Sequence, residues 1–231
     1  MLIGILQCGH IPPELQPHTG DYPEIYAKLL EGHGFQFAHW AVCDMEFPNS
    51  IDAADGWLVT GSRYAAYSDE PWIEPLEQII RAVYAAPKPM VGICFGHQVI
   101  AQALGGKVEQ SEKGWGVGRQ EYLWGNEVVA LNAWHQDQVV EPPREAVTIS
   151  SNKFCEHAAF LYGDKILSVQ AHPEFDRKMI QGLINVRGGT VPEARLAYAQ
   201  KMLDAPVDNA RLGNDIADFF KAERDWQEAD A

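Results

Sequence analysis

Residues 89–108, PMVGICFGHQVIAQALGGKV, change their periodicity at Cys94. Met90 to Ile93 is an unbroken apolar run. After Cys94, Val99, Ile100, Ala103 and Leu104 recur at helical spacing, so the segment reads as strand, sharp turn and helix. Gly92-Ile93-Cys94-Phe95-Gly96 is the G-x-nucleophile-x-G elbow with cysteine at its centre, where small flanking residues let the backbone turn tightly. Cys94 then sits at a helix N-terminus, where the aligned peptide dipoles favour a thiolate. The competing reading is a small buried apolar residue. A strand and a helix on the correct sides favour the elbow.

Working outward, Leu2–Gln7 reads as a first strand, followed by a loop with Pro12, Pro13 and Gly20, then a helix from Tyr22 to Glu31 ended by Gly32 and Gly34. Phe35–Val42 and Gly56–Thr60 read as strands buried on both faces. Trp72–Ala86 reads as a helix with Ile73, Leu76, Ile79, Ile80 and Val83 on one face. Strand and helix alternate, which predicts a mostly parallel sheet flanked by helices, with ligands at the carboxyl ends of its strands. Two loops leave those ends, Thr60-Gly61-Ser62-Arg63 and the Cys94 turn. A glycine after a buried strand lets a backbone N–H approach a substrate closely, which points to the N–H groups of Gly61 and Phe95 as an oxyanion hole; the competing reading is an ordinary turn at Gly61-Ser62.

The second half changes character. Short runs at Gly116–Leu123, Glu127–Leu131, Ala146–Ser150, Ala158–Tyr162 and Ile166–Gln170 are separated by turns at Gly125 and Gly163. They predict a meander that extends the sheet. It ends at Gln170-Ala171-His172-Pro173-Glu174-Phe175, which puts an imidazole and a carboxylate after a buried strand. A thiol nucleophile needs an imidazole to accept and return its proton, and a third group to orient that imidazole. Cys94, His172 and Glu174 supply those roles. Two helices, Pro192–Leu203 and Asn209–Gln227, close the chain; their apolar positions are expected to pack on the core.

With 231 residues, 46% of them hydrophobic, the chain is long enough for one α/β domain, and no Ser/Gly/Pro-rich linker divides it. We expect a single domain over 1–231, a core of about 2–190 and C-terminal helices over about 191–231. A net charge of −14 argues against a nucleic-acid backbone or an anionic membrane as partner. Glu223, Asp225, Glu228 and Asp230 read as a solvated helix end. MLIGILQCGH has no basic leader character, and no apolar run is long enough to span a membrane, so a cytoplasmic location is expected. Cys8, Cys43, Cys94 and Cys155 show no C-x-x-C spacing. The three besides Cys94 are expected in the core, and no metal site or cofactor is expected.

The elbow, the Thr60-Gly61-Ser62 loop, Trp134-His135-Gln136-Asp137 and Ala171-His172-Pro173-Glu174, taken jointly and in this order, resemble the class I (triad type) glutamine amidotransferases. Stand-alone members similar to the glutaminase half of GMP synthetase come nearest, and the resemblance covers about Leu2 to Phe175. It implies a three-layer, flavodoxin-like fold with an antiparallel extension. It also implies hydrolysis of the glutamine side-chain amide through a γ-glutamyl thioester on Cys94, with His172 as acid and base, Glu174 orienting it, and Gly61 and Phe95 as oxyanion donors. Gln98 matches a position near the substrate. His135 and Gln136 match a loop holding the substrate's α-amino and α-carboxyl groups, with Trp134 beside them.

Two departures stand out. The chain has His135-Gln136-Asp137 where the nearest relatives have His-Gly-Asp. The loop after Gly61 is bulky, Ser-Arg-Tyr-Ala-Ala-Tyr, and Arg63 is expected to cap it rather than meet a substrate carboxylate. His97 is expected to be structural or to line the rim. With no phosphate-binding G-x-x-x-x-G-K-[ST] motif the chain cannot adenylate an acceptor. Its ammonia would pass to a synthase on another chain, or the protein would be a hydrolase of γ-glutamyl compounds, which share the same thioester. A non-catalytic binding module would be expected to lose a triad member. An unrelated cysteine enzyme on a flavodoxin-like fold would lack the late His-Pro-Glu.

Overall fold

A computed structural model describes residues 1–224. β1 (Leu2–Leu6) enters the sheet directly. The following loop contains a single helical turn, α1 (Gln16–Thr19), before α2 (Tyr22–Leu29). Asp21 starts α2 with a capping box: its carboxylate accepts from the first turn, while Glu24 reaches back to the Asp21 N–H. β2 (Gln36–Trp40), β3 (Gly56–Val59), α3 (Ile73–Ala85), β4 (Met90–Ile93) and α4 (Phe95–Ala103) complete the alternating half.

The second half holds β5 (Lys107–Gln110), β6 (Gly116–Trp124), β7 (Glu127–His135), β8 (Asp137–Glu141), β9 (Val147–Ser151), β10 (Ala159–Tyr162) and β11 (Ile166–Val169). α5 (Arg177–Arg187), α6 (Glu193–Lys201) and α7 (Asn209–Lys221) follow. The expected continuation of the last helix to Gln227, and the acidic positions Asp225, Glu228 and Asp230, lie outside the described residues.

Nine strands form one sheet in the order β2-β1-β3-β4-β11-β10-β9-β6-β7, and β5 pairs with β8 in a separate ribbon. The five strands from β2 to β11 are parallel; from β11 to β7 neighbours run antiparallel. The expected antiparallel extension is present, with one correction to its course. The last strand, β11, returns to lie parallel against β4, and the meander fans out beyond it. β2 also departs from expectation: at the sheet edge, with one neighbour, it is only partly buried.

Alternation along the central strands divides the core between the two faces of the sheet. Leu58, Val91, Ile93, Leu167 and Val169 pack with Tyr26, Ile180, Leu183, Leu212 and Ile216, from α2, α5 and α7. Trp57, Val59 and Met90 point to the other face and meet Leu76, Ile80 and Val83 of α3 and Val99 and Ile100 of α4. Helices therefore cover both faces of the sheet. Ala199, Leu203, Ile216 and Phe220 join the first of these clusters, so the C-terminal helices pack on the core as expected. No helix among the described residues is long and apolar enough to cross a membrane.

Candidate active site

β4 ends at Ile93, and Cys94 turns the chain with φ 53° and ψ −103°, in the left-handed half of backbone space that side chains avoid. Two glycines make that turn possible. A Cβ on Gly96 would stand 2.2 Å from the Val59 carbonyl oxygen, and one on Gly92 would stand 2.7 Å from the Gly96 carbonyl. Cys94 N–H donates to the Val169 carbonyl at 2.8 Å, tying the elbow to β11. The thiol is 4% exposed at the wall of a cavity of about 590 Å³.

β11 brings the second group. His172 leaves it and bridges to β7, its N–H donating to the Asn132 carbonyl at 2.8 Å. The imidazole Nδ1–H donates to Glu174 Oε1 at 2.7 Å, and both side chains are nearly inaccessible, at 3% and 0% exposure. Phe175 stacks flat against the ring, with centroids 3.9 Å apart and planes 3° apart. Tyr26 donates its hydroxyl to the same Glu174 oxygen at 2.9 Å. Burial alone would lower the His172 pKa; the charges of Cys94 and Glu174 and the hydrogen bonds to both outweigh it and carry it up to about 10. With Nδ1 committed to Glu174, Nε2 is the nitrogen left for the thiol.

Gly61 lies against this pair: a Cβ there would be 2.9 Å from the Tyr22 hydroxyl oxygen and 3.1 Å from His172 Cε1. Phe95 buries its ring against Trp72, while its N–H, at the first position of α4, has no acceptor within the helix. Gln98 lines the cavity and donates to the Asp137 carbonyl at 2.8 Å and to Gln170 Oε1 at 3.1 Å. Gln170 in turn directs its amide at the Cys94 sulfur from 3.7 Å. Trp134, His135 and Gln136 line the same cavity. Trp134 and His135 end β7 rather than standing in a loop, because that strand runs four residues past the expected Leu131. His135 Nδ1 donates to the Asp137 carbonyl at 3.1 Å, and burial lowers its pKa to about 4, so the ring is neutral near pH 7.

All the residues singled out from sequence are thus gathered at the carboxyl ends of β3, β4 and β11 and the end of β7. Four neighbours escaped the sequence reading. Tyr22 and Tyr26 lie inside the expected helix from Tyr22 to Glu31, and Asn132 just past the expected strand end at Leu131, with nothing to mark them as neighbours of the site. Gln170 carried a signal, a lone amide closing an apolar strand. His97 proves structural: fully buried, it hydrogen-bonds Ser168 Oγ at 2.8 Å and stacks on Phe160.

Cys8 and Cys155 are core residues as expected, whereas Cys43 is half-buried beside His10, at 3.6 Å. There His10 Nδ1 meets Asp21 at 2.6 Å and Nε2 meets Asp44 at 3.0 Å. Burial lowers the His10 pKa, but the hydrogen bonds and charges of the two carboxylates raise it overall.

The glutamine amidotransferase class-I family model matches residues 41–182. The chain belongs to that family. A glutamine amidotransferase-like protein of Schizosaccharomyces pombe is 30% identical over 94% of this chain and 98% of its own. Gamma-glutamyl peptidase 4 of Arabidopsis thaliana is 33% identical over 75% of this chain and 76% of its own. The glutamine-hydrolyzing GMP synthase subunit of Methanopyrus kandleri is 30% identical over 63% and 87% respectively. Among solved structures, a glutamine amidotransferase of Methylobacillus flagellatus superposes with a TM-score of 0.75 at 21% identity, over 95% of this chain and 91% of that one. This likeness shows the flavodoxin-like fold of the class I amidotransferases.

Proposed function

We propose that the protein hydrolyses γ-glutamyl amide bonds through a γ-glutamyl thioester on Cys94, acting on γ-glutamyl peptides. The observation that carries this reading is the buried Glu174–His172 pair at 2.7 Å, sharing the wall of one cavity with the Cys94 thiol. The proton shared by Cys94 and His172 rests on the imidazole, as the raised pKa of His172 requires, and Sγ bonds to the γ-carbonyl carbon. The oxygen then carries the negative charge, facing the Gly61 and Phe95 N–H groups, each contributing about 2.7–4 kcal/mol on the scale of comparable donors. Collapse breaks the C–N bond, and His172 returns its proton to the departing nitrogen. Water, deprotonated by His172, attacks the thioester, and glutamate leaves as the thiol is restored.

The cavity, about 590 Å³, supports a leaving group larger than ammonia, since sites of roughly 300–1,000 Å³ hold drug-sized ligands rather than a single amino acid. The likeness to a gamma-glutamyl peptidase points the same way. A second reading takes glutamine as substrate and passes its ammonia to a separate synthase chain. The likeness to the glutamine-hydrolyzing part of a GMP synthase favours it.

The deciding measurement compares glutamate release from L-glutamine, glutathione and γ-glutamyl dipeptides, with Cys94→Ala as control. Faster release from the peptides, reduced by about 10⁴-fold or more in Cys94→Ala, is the expected result. Glutamine as the preferred substrate would establish the second reading. Turnover that survives the substitution would end both.

A further inference from the structure

The cavity wall beyond the triad carries two guanidinium groups that the hydrolysis of a γ-glutamyl bond does not use. Arg187, the last residue of α5, and Arg63, in the loop after β3, both line it. The arginines that form ion pairs with carboxylates are Arg81, Arg119, Arg177 and Arg211, all elsewhere. Among the described residues neither Arg63 nor Arg187 has such a partner. Arg63 donates to the Tyr64 hydroxyl at 2.8 Å and is otherwise exposed. Arg187 is half-buried; burial lowers its pKa, Tyr22 and Glu14 oppose that at longer range, and the positive charge of Arg63 adds to it. Two cations held together in a chain of net charge −14 are an arrangement that an anionic ligand would relieve.

Their position says which part of a substrate they face. Tyr22 lines the cavity with Arg187 and is electrostatically coupled both to Arg187 and to Glu174 and Cys94; its hydroxyl lies against Gly61, and Gly61 flanks His172 Cε1. His172 is the group that gives the departing nitrogen its proton, so this side of the cavity faces the leaving portion. Gln98, Trp134, His135 and Gln136 line the same cavity, with Gln98 bonded to the Asp137 carbonyl beside them.

We infer that Arg187, assisted by Arg63, binds a carboxylate on the leaving portion of the substrate, so that the preferred γ-glutamyl compounds release an amino acid or peptide with a free C-terminus. The inference rests on the γ-glutamyl hydrolysis proposed above. A planar guanidinium suits this task because it meets a carboxylate through two parallel hydrogen bonds. Ammonia offers no such handle, which makes glutamine a poorer substrate of the same thiol.

The test pairs γ-glutamylglycine with γ-glutamylglycinamide, which differ only in that carboxylate. The wild-type protein is expected to favour the acid by about 10- to 100-fold in kcat/KM, the scale of hydrogen bonds to a charged group. Arg187→Gln collapses that ratio toward one, chiefly through KM; Arg187→Lys restores part of it, and Arg63→Ala lowers it less. A wild-type ratio near one overturns the inference, as does a ratio that survives Arg187→Gln. Equal weakening of both substrates by Arg187→Gln would put the charge on the glutamyl α-carboxylate and overturn it too. Calorimetric binding of the same pair to Cys94→Ala separates the two levels. Absence of hydrolysis by the wild type defeats the proposed reaction, whereas equal binding of acid and amide defeats only the subsite.

Discussion

β4 and β11 run side by side, with Val169 opposite Ile93, and each delivers one of the proposed reacting groups to the cavity by a different means. The exit of β4 is held by exclusion. Its glycines leave no room for another atom, and a strained φ of 53° lifts Cys94 out of the turn. The exit of β11 is held by bonding: His172 is fixed through its N–H to Asn132, through Nδ1 to Glu174 and by the flat Phe175 ring, while Asn132 and Asn209 each donate to the Phe175 carbonyl at 2.9 Å. Adding an atom should damage the first exit through the fold. Removing a polar atom should damage the second through the chemistry.

The sharpest way to break that contrast is Glu174→Gln, which keeps the shape and removes the charge facing the imidazole. It is expected to lower kcat by about 10²- to 10⁴-fold while the protein stays folded by circular dichroism. An undiminished kcat would show that His172 needs no carboxylate. Gly96→Ala tests the other exit, where the new methyl meets the Val59 carbonyl oxygen. A loss of about 1–3 kcal/mol in urea unfolding is expected, and an unchanged midpoint would refute the steric account.

Tyr26→Phe is a milder probe of the polar exit. Losing the hydroxyl that donates to Glu174 should lower kcat by about tenfold, with little change in KM. A matching rise in KM alone would mean that Tyr26 shapes binding instead. The smallest effect concerns His97, which ties α4 to β11 through Ser168. Burial lowers its pKa from 6.5 to about 3, so its contribution to stability is present above pH 6.5 and is lost as pH falls toward 3. His135, lowered to about 4, acts in the same window. Denaturation midpoints should fall as wild type is acidified from pH 6.5 to 4, and less steeply for His97→Gln; parallel slopes would remove His97 from the account.

How legible each exit was in the sequence follows from the same contrast. The elbow is local: Gly92, Cys94 and Gly96 lie within five residues, between an apolar run and a helical pattern, so both fold and candidate thiol could be read there. His172 and Glu174 were legible as a pair, but their supports were not, since Tyr26 and Asn132 reach them from distant parts of the chain. β5 and β8 were missed because KVEQ and DQVVE are largely polar and become strands only by pairing with each other. α5 escaped because Gln181, Gly182 and Asn185 dilute its pattern. Its start had a signal, Asp176 capping Met179 N–H ahead of Met179, Ile180 and Leu183. Arg187 went unseen with it.

The placement of β11 has a consequence for how the molecule matures. Cys94 and the Gln170 that approaches its sulfur are hydrogen-bonded neighbours separated by 76 residues of chain, and the whole antiparallel excursion lies between them. Closing so long a loop into a parallel pairing is a slow step in folding, because chain entropy is lost before the contacts repay it. A growing or half-folded chain therefore carries the Cys94 thiol without His172 beside it. The proposed hydrolytic capacity arrives with β11, and the fold acts as its own timer.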